Sequence, residues 1–499
     1  LLHTTRFLVP VVFVASFVYA FVTARSVPSL DGKPGLIILC GLIFYTILGL
    51  FIIYISNRLR FPFFTFLLII ALLVSLPRNN NHALHAIKDR EQYSQINERL
   101  ADSTYFRQWL DYKLANNQLF QKDSIIPIFI VAAEGGGIRA CYWTAQVLKR
   151  LHIKNPEIYT NTFAATGASG GTIGLGFFYN YIFEKARNDL SQIGKPAFYA
   201  SLDSLAASDY LSGVTYGFLF PDLAQRVLPW PIASFDRAKF LSNGFSNAFA
   251  KYTVNDQERS TLLDQSMLAP WLAKAKPFER PVILFNSLYV EEGQKAVFSP
   301  FRLSDYYYED ALDILGATQT LVPMKEAMLS SARFPIITPP GLMMETTDTS
   351  IRGYGHLVDG GYFENTAVQT AQQTAMMIKD VIRRSPHLSG RKIVPVIIST
   401  VYGSDTSAHR NPMGSAYEAA PLQGAINTLF RWIDGAKAMT VKLDPDLNTI
   451  NFKLIKYKGD VIPLGWYLSP VAKKKIEGYS AERRPEFFRP YERLKKYLP

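Results

Sequence analysis

Ile128-Phe129-Ile130-Val131-Ala132-Ala133 runs without interruption into Glu134-Gly135-Gly136-Gly137-Ile138-Arg139-Ala140. The uncharged, β-branched and aromatic first half reads as a strand buried on both faces. Three successive glycines after it leave several backbone N–H groups unobstructed and able to converge on one oxygen. A site that stabilises a developing oxyanion needs that: donors fixed in place before reaction. A phosphate cradle or a plain loop are the competing readings, but the Gly-Lys-Ser/Thr ending of a Walker-type loop is absent.

Outward from this stretch, Ile125 to Ala133, Val282 to Asn286 and Ile393 to Val401 read as buried strands separated by helix-like segments. Pro127 and Pro395 fall near the starts of their runs, where a missing donor is tolerated. Strands alternating with helices predict an α/β fold whose sheet is covered on both faces.

Thr166-Gly167-Ala168-Ser169-Gly170-Gly171 lies between the apolar run ending Phe163-Ala164-Ala165 and the stretch Ile173 to Phe183. A Gly-x-Ser-x-Gly sequence between strand and helix is the setting of a nucleophile elbow. Gly167 and Gly171 allow close approach at a sharp turn, and Ser169 would stand at a helix N-terminus, where the dipole favours negative charge. Such a pattern also arises by chance as a Gly/Ser turn. Leu357-Val358-Asp359-Gly360-Gly361-Tyr362-Phe363-Glu364-Asn365 follows, with Asp359 190 residues beyond the serine. Taken singly an Asp-Gly-Gly turn is structural; set beside the other two features, its carboxylate is a candidate base for the serine hydroxyl.

These three motifs, in this order, resemble the patatin-like phospholipase family. Gly135-Gly136-Gly137-Ile138-Arg139 matches its oxyanion loop, Gly167-Ala168-Ser169-Gly170-Gly171 its elbow and Asp359-Gly360-Gly361 its acidic motif. The resemblance extends over roughly residues 125–470, through Pro281 to Asn286, Ser330 to Pro335 and Pro463 to Trp466. It implies a three-layer α/β/α catalytic domain and a Ser169–Asp359 dyad without histidine. It further implies an oxyanion hole from the backbone of Gly135, Gly136, Gly137 and Ile138, supported by Arg139, Gly167, Gly171, Gly360 and Gly361. The implied activity is phospholipase A-type ester hydrolysis, with neither metal nor organic cofactor. Glu134 departs from the pattern, since the family usually carries Asp before its glycines.

The 499-residue chain is 48% hydrophobic and 19% charged, and the long uncharged runs are concentrated near its start. Residues 1–76 read as a transmembrane region with helices over 7–23, 36–55 and 61–76, because a bilayer core of about 30 Å takes roughly 20 apolar residues. Residues 77–124 read as a helical connector, and 125–499 as the catalytic domain with a basic C-terminal tail. A cleaved signal peptide is the rival account of the first run, but no small-residue cleavage site follows it. Arg25, Lys33, Arg78, Lys88 and Arg90 on the domain side outnumber Arg6, Arg58 and Arg60, which predicts an integral membrane protein with a cytoplasmic catalytic domain.

The net charge of +12 is scattered rather than gathered into a patch interleaved with aromatics, which argues against nucleic acid and for a lipid bilayer as partner. The basic tail residues Lys473-Lys474-Lys475, Arg483-Arg484 and Lys495-Lys496 read either as headgroup contacts or as a solvated face. Cys40 and Cys141 are too few for a disulfide framework or a metal cluster. Membrane lipid is the expected substrate, and association of copies through the membrane region stays open. Aromatics such as Trp230, Phe235, Tyr306 to Tyr308 and Tyr216 to Phe220 read either as an acyl groove or as core.

Two rival functions remain at this level. An ordinary α/β-hydrolase would add a histidine after the aspartate, which leaves His387 and His409, both in polar, loop-like sequence, while His356 stands in the wrong order. A non-catalytic lipid-binding scaffold would have no need of the serine, the aspartate and the glycine loop together.

Overall fold

The structure is a computed structural model that describes residues 33–74, 80–87, 94–116, 125–188, 195–253, 260–272, 278–309, 311–334, 337–346, 350–388, 391–404, 448–457, 460 and 462–498. Helix α1 (Pro34–Leu59) opens with a proline in its first turn and is 26 residues long, about 39 Å. An 18-residue stretch of it has a mean hydropathy of 2.8 with few residues buried, so the helix is long and apolar enough to cross a membrane. Arg60, left-handed at φ 51°, ends it and Pro62 follows, after which the chain enters helix α2 (Phe63–Val74). The twelve described residues of α2 reach about 18 Å, and residues 75 and 76 of the expected span over 61–76 lie outside the described residues. The expected helix over 7–23 lies outside the described residues.

The expected helical connector is helical over Ser94–Asn97 and Asp102–Asn116 but not over 80–87. Residues 80–87 run extended beside Gly341–Thr346, with the Leu84 amide donating to the Leu342 carbonyl at 2.8 Å and the Leu342 amide to His82 at 3.0 Å. Helix α3 (Asp102–Asn116) sends Phe106 and Trp109 onto Phe163, at ring-centroid distances of 5.0 and 5.3 Å. Both side chains are buried in the main core, so this part of the segment belongs to the domain.

Strand β1 (Ile126–Ala133) is buried at every position, as its unbroken apolar run predicts. Helix α4 (Gly137–Lys154) carries the chain to β2 (Thr162–Gly167), and helix α5 (Ser169–Asn188) leaves from there toward β3 (Val282–Tyr289). β4 (Gln294–Phe298), β5 (Ala311–Asp313), β6 (Gly341–Thr346) and β7 (Ile351–Asp359) complete one side of the sheet. Helix α6 (Val368–Arg383) then leads back to β8 (Ile393–Ser404), beside which β9 (Asn448–Lys456) lies.

The resulting mixed sheet has the order β5-β4-β3-β2-β1-β8-β9, with β7 paired to β3 and β6 to β7. Progress from β1 through β2 to β3 runs one way along the sheet and the return to β8 the other. With right-handed crossovers, α4 and α5 therefore cover one face while α6, packed with α3, covers the opposite one. The reversal makes the carboxyl end of β1 a topological switch point, where a crevice opens in sheets of this kind.

β3 acts as the ruler for the site. Its first half pairs in parallel with β2, which ends with Gly167 opposite Phe285. Just beyond, β7 takes over the same edge in the antiparallel sense and ends with Asp359 opposite Ser287. Two residues along a strand are about 7 Å, and on this count the ends of β2 and β7 meet although 190 residues separate Ser169 from Asp359.

The basic C-terminal residues pack onto the domain in part. Lys475 meets Asp460 at 2.6 Å and the Lys473 ammonium lies 5.7 Å from the Tyr142 ring, whereas Lys495 pairs at 2.7 Å with Glu492 of its own segment. Phe487 and Leu494 of the same segment are buried in the core.

Candidate active site

The segment after β2 turns at Ala168, and Ser169 begins α5 with φ at +50°, in the left-handed region that a residue with a Cβ occupies only at a cost. Space around the turn explains its glycines. A Cβ on Gly170 would lie 1.9 Å from the Gly137 carbonyl oxygen, so the elbow and the glycine loop touch through bare backbone. Ser169 is 6% exposed and Asp359 3%.

One segment joins the two motifs. The carbonyl of Ser331 accepts the amide of Ser169 at 2.9 Å and that of Gly360 at 3.1 Å, and the Arg333 carbonyl accepts the amide of Asp359 at 3.1 Å. Ser331 Oγ is also 2.8 Å from Thr172 Oγ1, in the first turn of α5. Beneath it, the fully buried Arg333 pairs with the equally buried Glu326 at 2.6 Å and donates to the Pro339 carbonyl at 3.1 Å.

Asp359 Oδ1 accepts the Gly361 amide at 2.8 Å, while its buried Oδ2 has no partner at hydrogen-bonding geometry. Burial pushes the carboxyl up to about 6, against the opposing pull of the neighbouring Ser169 hydroxyl and the Gly361 amide. The Ser169 hydroxyl is thus near enough to be felt by the carboxyl.

Of the four amides expected to form an oxyanion hole, two are already committed. Gly135 donates to the Asn365 carbonyl at 2.8 Å and Ile138 to the Gly465 carbonyl at 2.9 Å. Among the described residues, the amides of Gly136 and Gly137 have no acceptor, nor has that of Gly170 behind the serine. Gly137 has φ +59°, and a Cβ there would stand 1.7 Å from the Leu464 carbonyl oxygen. The two committed amides pin the loop at both ends and leave the middle open.

Glu134 contributes to that pinning through its own side chain. Oε2 accepts the Tyr402 amide at 2.6 Å and Oε1 accepts Asn365 Nδ2 at 3.3 Å. The longer acid in place of Asp therefore reaches across to β8 and to the loop after Asp359. Arg139 lies with its guanidinium 3.9 Å from the Tyr402 ring centroid, a stacking contact behind the loop. Ser331, Arg333, Glu326 and Asn365 are the site's supporting residues that sequence reasoning did not assign.

His356 lies on β7, with Nδ1 paired to Glu291 at 2.6 Å and Nε2 3.5 Å from Asn80 Nδ2. His409 and the side chain of His387 lie outside the described residues. No group of three or more His, Cys, Asp or Glu residues placed to hold a metal occurs among the described residues.

Residues 131–371 match the patatin-like phospholipase family. Among solved structures, VipD from Legionella pneumophila aligns at a TM-score of 0.28 and 10% identity, over 74% of this chain and 66% of that one. Human GIVD cytosolic phospholipase A2 aligns at 0.32 and 12%, over 65% of this chain and 51% of that one. The chain thus spans less than two thirds of either. No curated protein is significantly similar to it.

Proposed function

From a chain whose residues 131–371 are a patatin-like phospholipase domain, we propose a membrane-anchored serine acyl hydrolase that cleaves ester bonds of phospholipids or related lipids through a Ser169–Asp359 dyad. The observation that carries the reading is the buried Asp359 carboxyl. One of its oxygens is unpartnered, the Ser169 hydroxyl acts on the carboxyl, and its affinity for protons is raised toward neutrality. Such a carboxylate is ionised at pH 7 yet basic enough to take a proton in a transition state.

Asp359 accepts the hydroxyl proton as Ser169 Oγ bonds to the acyl carbon. The amides of Gly136 and Gly137 hold the oxyanion, helped by the N-terminal dipole of α5. Collapse breaks the ester bond, and the departing alkoxide takes the proton from Asp359. A water molecule then gives its proton to Asp359 while its oxygen attacks the acyl-serine, and the fatty acid leaves as the proton returns to Ser169.

α1 supports the anchoring half of the proposal by its length and apolar surface. The Lys/Arg asymmetry about it favours the cytoplasmic side for the domain. An anchor concentrates the site at lipid, which favours membrane glycerolipids over soluble esters. Mass spectrometry of lipids released from native membranes tests the proposal: the wild type should release fatty acid, with or without chelator, and Ser169→Ala should not. Equal release by both would refute it.

A further inference from the structure

A second lipid contact stands beside α1, at the segment Phe218–Trp230. Phe218–Asp222 forms a π-helical turn containing Pro221 and continues into the short helix Leu223–Gln225. Phe218, Leu223 and Val227 follow at spacings of five and four, which places them along one side of a chain that starts with a π turn. They are 39%, 38% and 40% exposed, and Trp230 after them is 61% exposed.

The same segment is fastened to α1. The Tyr45 hydroxyl donates to the Leu219 carbonyl, and the rings of Phe44 and Phe220 meet edge-on at 5.7 Å. Gly41 leaves the space that Leu219 fills, since a Cβ there would lie 3.0 Å from the leucine's Cδ1. Gly41 and Tyr45 stand about 10 to 17 Å along α1 from Pro34, in a helix of about 39 Å. If α1 crosses the bilayer, a segment seated at that height is inside the leaflet.

Its charges are prepared for such a place. Asp222, 2% exposed, pairs with Arg226 at 2.9 Å and with Arg237. Asp236 is held below its ordinary range: burial would raise it, but the hydrogen bond from His82 at 2.8 Å and the nearby Arg333 charge prevail. Carboxylates at a membrane boundary need such partners. Arg237 also lies 5.2 Å from the Phe218 ring and donates to the Ile337 carbonyl at 3.1 Å, which joins the element to the segment that supports Ser169 and Asp359.

We infer that Phe218–Trp230 is a monotopic insertion element that enters the leaflet alongside α1, with Trp230 at the headgroup boundary and lipid as its occupant. This rests on the reading of α1 as a membrane span. Exposed aromatic and aliphatic side chains next to a spanning helix are what such elements present to lipid. The contact would hold the catalytic face against the surface that supplies its substrate.

The test uses the full chain in phosphatidylcholine–phosphatidylglycerol vesicles, with Val227→Cys, Ile53→Cys and Tyr306→Cys reacted with a membrane-impermeant maleimide. Labelling of the unsubstituted chain is subtracted. Val227→Cys should react at least about tenfold more slowly than the aqueous control Tyr306→Cys, as Ile53→Cys does, because a thiol kept from water reacts only through rare openings. Brominated acyl chains should quench more fluorescence in the wild type than in Trp230→Phe. Rapid labelling at 227 with protection at 53 overturns the element and leaves the anchor standing. Rapid labelling at both overturns the anchor as well. Protection at 227 without quenching through Trp230 means that protein covers the segment, which also overturns the inference.

Discussion

The amide of Ser169 donates to the carbonyl of Ser331 at 2.9 Å, and through that one oxygen the elbow is tied to the aspartate loop, because the Gly360 amide shares it at 3.1 Å. Register on β3 brings the ends of β2 and β7 together; the Ser331 carbonyl sets their final spacing. The Arg333–Glu326 pair lies underneath, without exposure to solvent.

Glu326→Ala should therefore lower stability by about 3 to 5 kcal/mol, since it leaves the Arg333 charge buried and unpaired. Replacing both residues with methionine should recover most of that loss in denaturant titrations. If the single variant unfolds at the wild-type denaturant concentration, the pair does not support the segment.

Asp359 gives the pH dependence a definite sign. A carboxyl whose proton affinity is higher folded than unfolded stabilises the protein when protonated. Stability is then lost as pH rises from about 4 to about 6 and is constant above, at a cost on the order of 3 kcal/mol. Asp359→Asn should remove that decline, raise the unfolding midpoint above pH 6 and abolish hydrolysis. Wild-type activity should climb with pH through a limb near 6, because the base must be ionised. Thermal unfolding of both proteins from pH 4 to 8 checks the stability half.

Strain at the elbow predicts an ordering of two inactive variants. Ser169→Ala keeps a Cβ at φ +50°, whereas Ser169→Gly relieves it, so the glycine variant should be about 1 kcal/mol the more stable. Equal stabilities would mean that the turn relaxes without cost.

Glu134→Gln weakens the grip on the Tyr402 amide while leaving the loop's glycines in place. It should reduce kcat about tenfold with little change in KM, as expected when a group acts through oxyanion donors that work mainly in the transition state. A rise in KM at constant kcat would assign Glu134 to substrate binding instead.

Much of this candidate site is legible in the sequence because its signals are local. A buried strand before Gly135, an elbow between apolar runs and an aspartate before paired glycines each carry their chemistry within a few residues. The amides of Gly135 and Ile138 were indistinguishable from those of Gly136 and Gly137 until the partners from Asn365 and Gly465 were in view. Ser331 was hidden for a related reason: its bridging atom is a main-chain carbonyl, which any residue supplies. Likewise Phe106 and Trp109 carry no sequence sign that their partner is Phe163 in β2. The apolar run at 61–76 reads as a helix for the same local reason, and its described part, α2, is one.

On the proposed mechanism Ser169, activated by Asp359 and no histidine, is the nucleophile. Peptide mass spectrometry after reaction with a fluorophosphonate tests it most directly. One adduct is expected, on Ser169, in the wild type and in His387→Ala and His409→Ala, and none in Asp359→Asn. An adduct on another residue, or its loss in either histidine variant, would contradict it.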